Sequence, residues 1–156
     1  MGSAVDRFLE EASRLGLSLK ILEFPEGTRT AAEAAQAVGC HIGQIVKSLV
    51  FMADGKAVLA LTSGQNRVDP SALAGLVGAA SVRKATPEEA REATGFAIGG
   101  TPPFGHARPL DVFVDRDLLG HEVVWAAAGT PKALFALSPP DLLEVSGGTP
   151  ADIKEG

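Results

Sequence analysis

The chain has 156 residues, with 14 basic against 19 acidic side chains and a net charge of −5. At roughly 150 residues per domain this is one domain, long enough to bury about 68–70% of its unfolded surface without covalent staples. A hydrophobic content of 46% beside 21% charge excludes disorder of the whole chain. One cysteine excludes a disulfide framework and a Cys-rich zinc site.

No segment approaches the ~18 uninterrupted apolar residues of a membrane span. Met1 to Leu9 carries Asp6 and Arg7 and has no apolar run of signal-peptide length, so a cytoplasmic protein is expected. The acidic balance excludes a protein that coats nucleic acid by charge alone, but not one that grips a short nucleic-acid end. With seven Phe, one Trp and no Tyr, the core must be built mostly from Ala, Val and Leu.

Val5, Phe8, Leu9, Ala12 and Leu15 fall on one helical face, and Gly16 stops that helix. Leu17 to Phe24 is a strand candidate ended by Pro25-Glu26-Gly27. Thr30 followed by Glu33 is a capping box that opens an Ala-rich helix closed by Gly39. Ile45 to Ala53 and Ala57 to Thr62 are strands, and Asp54-Gly55 between them is a strong hairpin signal. Asp69-Pro70 caps a helix through Val77, and Thr86-Pro87-Glu88-Glu89 opens another to Thr94.

Gly95 to Gly105 is a Gly/Pro-rich loop. Leu110 to Val114, Glu122 to Ala128 and Ala133 to Leu137 are strands, and Ser138-Pro139 starts a helix over Asp141 to Val145. The tail from Gly147 is polar and expected to fray. The hairpin signals favour antiparallel pairing, so the expected fold is a single α+β domain, 1–156 with its core at 5–145. Its sheet would be mixed, mostly antiparallel and barrel-like, surrounded by helices.

Lys47 is the sharpest single feature. It sits in the middle of an apolar strand, on the face of Ile45, Leu49 and Phe51. Two readings stand for it: an edge lysine snorkelling to water, or a functional cation held in an apolar surface with a partner. Gly99-Gly100-Thr101-Pro102-Pro103-Phe104-Gly105-His106 is long for a plain connector. Its glycines let backbone N–H groups approach a ligand, its prolines stiffen the loop, and Phe104 is placed to wall a pocket.

Ala127-Ala128-Gly129-Thr130-Pro131 offers a similar approach, or a simple turn. His41, His106 and His121 are far apart and metal-ligand spacing is absent. Cys40 reads as a small core residue. Asp115 and Asp117 read as a carboxylate pair or a solvated turn, and the adjacent Arg83-Lys84 as a phosphate contact or an exposed strand end.

Thr30-Ala31, Ala34-Ala35, Gly39, then Gln44-Ile45-Val46-Lys47-Ser48-Leu49, then Gly99 to Gly105 and Gly129-x-Pro131 stand in an order with a fairly specific likeness. Over Val5 to Val145 the chain resembles the YbaK/EbsC family of aminoacyl-tRNA editing proteins, which are similar to the editing domain inserted in bacterial prolyl-tRNA synthetase. The resemblance implies a free-standing hydrolase. It would cut the ester between a small amino acid (Ala, Ser, Thr, Cys or 2-aminobutyrate) and the terminal ribose of a mischarged tRNA, in the first place proline tRNA.

By the same resemblance, Lys47 holds the substrate through its terminal phosphate or ribose and favours developing negative charge. Backbone N–H groups at Gly99, Gly100 and Gly129 line the oxyanion and amino-acid pocket. Thr30, Val46, Ser48, Pro102, Pro103, Phe104 and Gly105 complete the binding surface, and Thr62, Ser63 and Thr101 are available to a hydroxylated side chain. No protein nucleophile, metal or cofactor is implied, since a ribose hydroxyl helps to activate the water.

The implied partners are the acceptor end of mischarged tRNA and prolyl-tRNA synthetase, with neither membrane nor DNA. Arg29, Arg67, Arg83, Lys84, Arg108 and Lys132 are candidates for a basic rim. His106 is expected at a pocket rim or in a loop hydrogen bond. A non-catalytic module holding a tRNA end, a nucleotide or an amino acid, or a structural partner of a synthetase, fits the same motifs.

Overall fold

In a computed structural model, residues 3–28 and 30–156 are described. The helices begin where cap chemistry dictates. Ser3 and Asp6 form a capping box for α1 (Ala4–Arg14), Thr30 and Glu33 for α2 (Ala31–Val38), and Thr86 and Glu89 for α4 (Pro87–Thr94). Asp69 caps α3 (Pro70–Val77) and Ser138 caps α5 (Pro139–Ser146), each with proline in the first turn.

The hairpin of β2 (Val46–Ala53) and β3 (Lys56–Ser63) turns at Asp54-Gly55, both at positive φ, as a two-residue turn between right-twisted strands requires. β4 (Val82–Lys84) pairs antiparallel with residues 51–53 of β2, and β5 (Asp111–Asp115) pairs parallel with β3. With β8 (Thr149–Ala151) they form a five-stranded sheet ordered β4-β2-β3-β5-β8. β1 (Ile21–Glu23), β7 (Ala133–Leu137) and β6 (Val124–Ala127) form a separate antiparallel sheet.

The α+β class and the mixed sheet agree with expectation, but the sheet does not close into a barrel. The two sheets meet at a parallel bridge between Ile45 and Trp125. The parallel β3–β5 and β5–β8 pairs carry no local sequence signal, because their partners lie far apart in the chain.

Three apolar layers follow from strand alternation. Val46 and Val50 of β2 face the principal core between the sheets, with Leu59, Leu61, Phe8 and Phe135. The opposite face, with Phe51, Val58 and Ala60, packs on Leu73 of α3. Ala34 and Ala35 of α2 pack on Ile45 and Leu134. Phe104 lies in the principal core, 4.8 Å from Phe8 and 6.1 Å from Phe135 between ring centroids.

The tail from Gly147 does not fray as its polar composition predicts. It is paired: Val114 stands opposite Pro150, Asp69 N–H donates to Ile153 O, and Glu155 N–H donates to Arg67 O. Its polar composition conceals two alternate apolar residues, Ala151 and Ile153, both buried under α3. Of the strand expected over Leu17 to Phe24, Ile21–Glu23 forms the strand, and Phe24 N–H extends its pairing by donating to Lys132 O.

Candidate active site

β2 has two different edges. β3 accompanies it along its whole length, whereas β4 reaches only residues 51–53. Ile45 O accepts from Gly64 N–H, and Val50 O accepts from Ala85 N–H on the opposite side. In an antiparallel ladder these directions alternate, so the main-chain groups of Ser48 point out of the edge that β4 leaves uncovered.

A cavity of about 430 Å³ opens along that edge. Residues 45–50 form one wall, and Trp125, Ala126 and Ala127 of β6 a second. Thr30, Ala31 and Ala34 at the start of α2 form a third, and Ile98, Gly99 and Thr101 close it. The remaining lining is Thr28, Lys84 and the apolar Ala85, Ala90 and Leu134.

Thr30, Val46, Lys47, Ser48, Gly99 and Thr101 are therefore brought together from three separate stretches of sequence. Lys47 is half-buried, and its Nζ donates to the Asn66 main-chain carbonyl at 2.6 Å. Burial first, then the charges of Lys84 and Arg67, push its ammonium below the ordinary lysine value, against the opposing pull of Asp115. Thr30 Oγ1 donates to Glu33 Oε1 and Thr101 Oγ1 to Ala97 O, so both hydroxyl protons are engaged locally. Ser48 Oγ is buried and has no partner among the described residues.

The other expected site residues lie elsewhere. Gly100 N–H donates to Ala97 O, and a Cβ on Gly100 would stand 2.7 Å from Gly129 O. A Cβ on Gly129 would stand 2.7 Å from Ala4 O. These two glycines permit backbone-to-backbone packing of the 97–101 loop, the 129–131 turn and the start of α1, and do not line the cavity. Pro102, Pro103 and Phe104 are buried, Phe104 against Phe8 and Phe135 in the principal core.

Gly105 and His106 border a different concavity of about 360 Å³. His106 Nε2 bonds Pro102 O at 2.7 Å, so it makes a loop hydrogen bond and stands at the rim of this second concavity rather than at the cavity along β2. Thr62 and Ser63 are fully buried, and Ser63 Oγ donates to Gly43 O. A glycine pattern alone does not separate close packing from ligand approach.

Asp115 is not in a solvated turn. It is 2% exposed and accepts from Ser63 N–H and Asn66 Nδ2. Asp117 pairs with Lys154 at 2.8 Å. In the expected basic rim, Arg83 is engaged in two bonds by Glu89, at 2.7 and 2.8 Å, and Arg108 by Glu92. Arg29 lies outside the described residues. Lys84 lines the cavity. Sequence reasoning missed the alanine walls and Trp125; the small-residue spacing of Ala31 and Ala34 was the available signal for one of them.

A family model described as the aminoacyl-tRNA editing domain matches residues 25–145. The uncharacterized protein YwhH of Bacillus subtilis (strain 168) is 32% identical over 127 residues, 81% of this chain and 80% of that protein. The proline--tRNA ligase of Solidesulfovibrio magneticus is 34% identical over 135 residues, 80% of this chain but 23% of the ligase. A solved structure of a candidate trans-editing enzyme for prolyl tRNA synthetase superposes with a TM-score of 0.94 at 52% identity, covering 100% of this chain and 99% of that one. With most of its length matched in this way, the chain belongs to the aminoacyl-tRNA editing domain family and is an aminoacyl-tRNA deacylase.

Proposed function

We propose that the chain hydrolyses the ester of a small, unfunctionalised amino acid, alanine or 2-aminobutyrate, on the acceptor end of proline tRNA, acting in the cytoplasm and in trans to prolyl-tRNA synthetase. The observation that carries this reading is the cavity on the uncovered edge of β2, walled by alanines and bordered by Lys47. A side chain without a hydroxyl suits such walls. Thr28, Thr30 and Thr101 have their hydroxyl protons engaged locally, so among the described lining hydroxyls Ser48 Oγ alone is without a partner, and most of the apolar wall offers a substrate hydroxyl nothing to pair with. The likeness to proline--tRNA ligases and to a candidate trans-editing enzyme supports the choice of tRNA.

In the proposed reaction, a water oxygen attacks the ester carbonyl carbon and passes a proton toward a hydroxyl of the terminal ribose. The tetrahedral oxyanion collapses, the C–O bond to the ribose breaks, and the ribose oxygen leaves with a proton. Amino acid and uncharged tRNA are the products. Lys47 Nζ has donors beyond the one given to Asn66 O. It binds the phosphate or ribose of the tRNA end and stabilises the developing negative charge. The Ser48 main chain at the free strand edge and the backbone at Gly99 fix the aminoacyl group. Removing one donor to such an oxyanion typically costs ~10²–10³ in rate.

The test is ester release from proline tRNA charged with Ala, Ser, Thr, Cys or 2-aminobutyrate, with wild type and Lys47→Ala side by side. Release of the Ala and 2-aminobutyrate esters, falling about 100-fold or more in Lys47→Ala with the fold retained, is expected. Release in that variant at the wild-type rate overturns the role of Lys47. Binding of charged tRNA without release of any ester overturns the reaction in favour of a binding module.

A further inference from the structure

We infer that Asp115 is a positioning residue for Lys47, acting through Asn66 across 52 residues of sequence to Ser63 and 49 to Asn66. The inference rests on the role proposed above for Lys47. Its basis is a continuous chain of hydrogen bonds running from the interior of the sheet to the ammonium group.

Asp115 ends β5 and is 2% exposed. A buried carboxylate is tolerated only when its oxygens are satisfied. Oδ2 accepts from Ser63 N–H at 3.1 Å and from Asn66 Nδ2 at 2.8 Å, and Oδ1 accepts from Asp117 N–H at 3.0 Å. Asn66 Nδ2 also donates to Asp117 Oδ2 at 2.8 Å, and Asp117 in turn receives Lys154 Nζ at 2.8 Å. An amide nitrogen carries two hydrogens, and here each meets a carboxylate. The Asn66 side chain is thereby fixed.

The Asn66 main chain is fixed as well, since its N–H donates to Ser63 O at 2.9 Å. The carbonyl held in this way is the one that accepts from Lys47 Nζ. A lysine ammonium on four rotatable bonds has no geometry of its own, so an immobile acceptor is what directs it.

The charges around Lys47 give the same assignment a second function. Lys84 of β4 and Arg67, one residue beyond Asn66, repel its ammonium, and Asp115 of β5 is the carboxylate that opposes them. Asp117 and Lys154 lie further along the network and are paired with one another. Replacing Asp115 by asparagine removes the opposing charge, and the proton on Lys47 is then lost at lower pH.

The experiment measures two things on wild type, Asn66→Ala and Asp115→Asn: the titration of Lys47 by side-chain NMR, and the pH profile of kcat/KM for alanyl-proline-tRNA deacylation. Both variants are also made in a Lys47→Ala background. We expect a loss of about 10- to 100-fold in kcat/KM for each variant, the size of one charge-assisted hydrogen bond. In Asp115→Asn, the Lys47 titration and the alkaline limb should move together to lower pH. Neither substitution should reduce activity further once Lys47 is alanine.

Equal losses in both backgrounds would mean that Asp115 and Asn66 serve the fold alone, and would overturn the inference. Asn66→Ala leaves the Asp115 bonds to Ser63 and Asp117 in place, so it carries the test if Asp115→Asn does not fold. The NMR arm separates the two readings. A wild type that releases no ester while Lys47 still responds to Asp115→Asn removes the proposed reaction and keeps the network. A Lys47 titration unmoved by Asp115→Asn removes the network whatever the activity.

Discussion

Gly100 and Thr130 are packed backbone against backbone: a Cβ on Gly100 would lie 2.6 Å from the Thr130 Cα and 2.9 Å from its nitrogen. Neither is the flexible end of a side chain, so one must move for anything larger than glycine. Gly100→Ala is expected to lose about 1–3 kcal/mol in denaturant unfolding and to slow deacylation, because Gly99 and Thr101 on either side line the cavity. Unchanged stability would mean that the 97–101 loop yields freely.

The second prediction concerns the alanine wall. Ala34 is buried in α2 and borders the cavity. Ala34→Val brings two methyl groups toward the aminoacyl group. The release of 2-aminobutyrate should fall about tenfold or more relative to alanine, since one methylene is worth ~10–200-fold in such pockets. The ratio of the two kcat/KM values is the readout, because a general loss of stability lowers both together.

Much of the architecture was legible because its signals are local. The capping pairs Thr30/Glu33 and Thr86/Glu89, the Asp69-Pro70 start and the Asp54-Gly55 turn each involve neighbours in sequence, and each stands where the side-chain chemistry put it. Lys47 was legible because a charge in an apolar strand needs a reason. Its partner was not, since Asn66 offers a backbone carbonyl, which every residue has. Nor was Asp115, whose burial depends on a contact with β3 that local sequence does not encode. Gly100 and Gly129 were legible as glycines that matter, but the atoms they approach belong to the protein's own backbone.

The third prediction tests the paired tail. Ile153 is fully buried beside Leu73 in the layer under α3. Ile153→Ala should lower the unfolding free energy by about 2–5 kcal/mol, measured by chemical denaturation. A fraying tail would give a change near zero.

His106 provides a pH test of stability. Burial, opposed by its bond to Pro102 O, lowers its pKa below 6.5 in the folded protein. The unfolded chain therefore binds the proton more readily. Stability from this group is complete above pH 6.5 and is lost as pH falls below that value toward the folded pKa. The slope for one proton is at most about 1.4 kcal/mol per pH unit. His106→Gln should flatten that part of the stability profile, and an identical acid dependence in both proteins would refute the assignment.

The uncovered edge of β2 has a consequence for solubility. A strand edge with outward main-chain N–H and C=O groups is a template on which another chain adds a strand, and proteins with such edges are prone to self-association. Here the edge lies at the bottom of a cleft whose other walls are α2, β6 and the 97–101 loop, with Lys47 and Lys84 along it. A second strand needs about 4.8 Å of clear lateral space along several residues, and two lysines resist its approach. The walls that enclose the cavity thus also keep other chains from docking on the same main-chain groups.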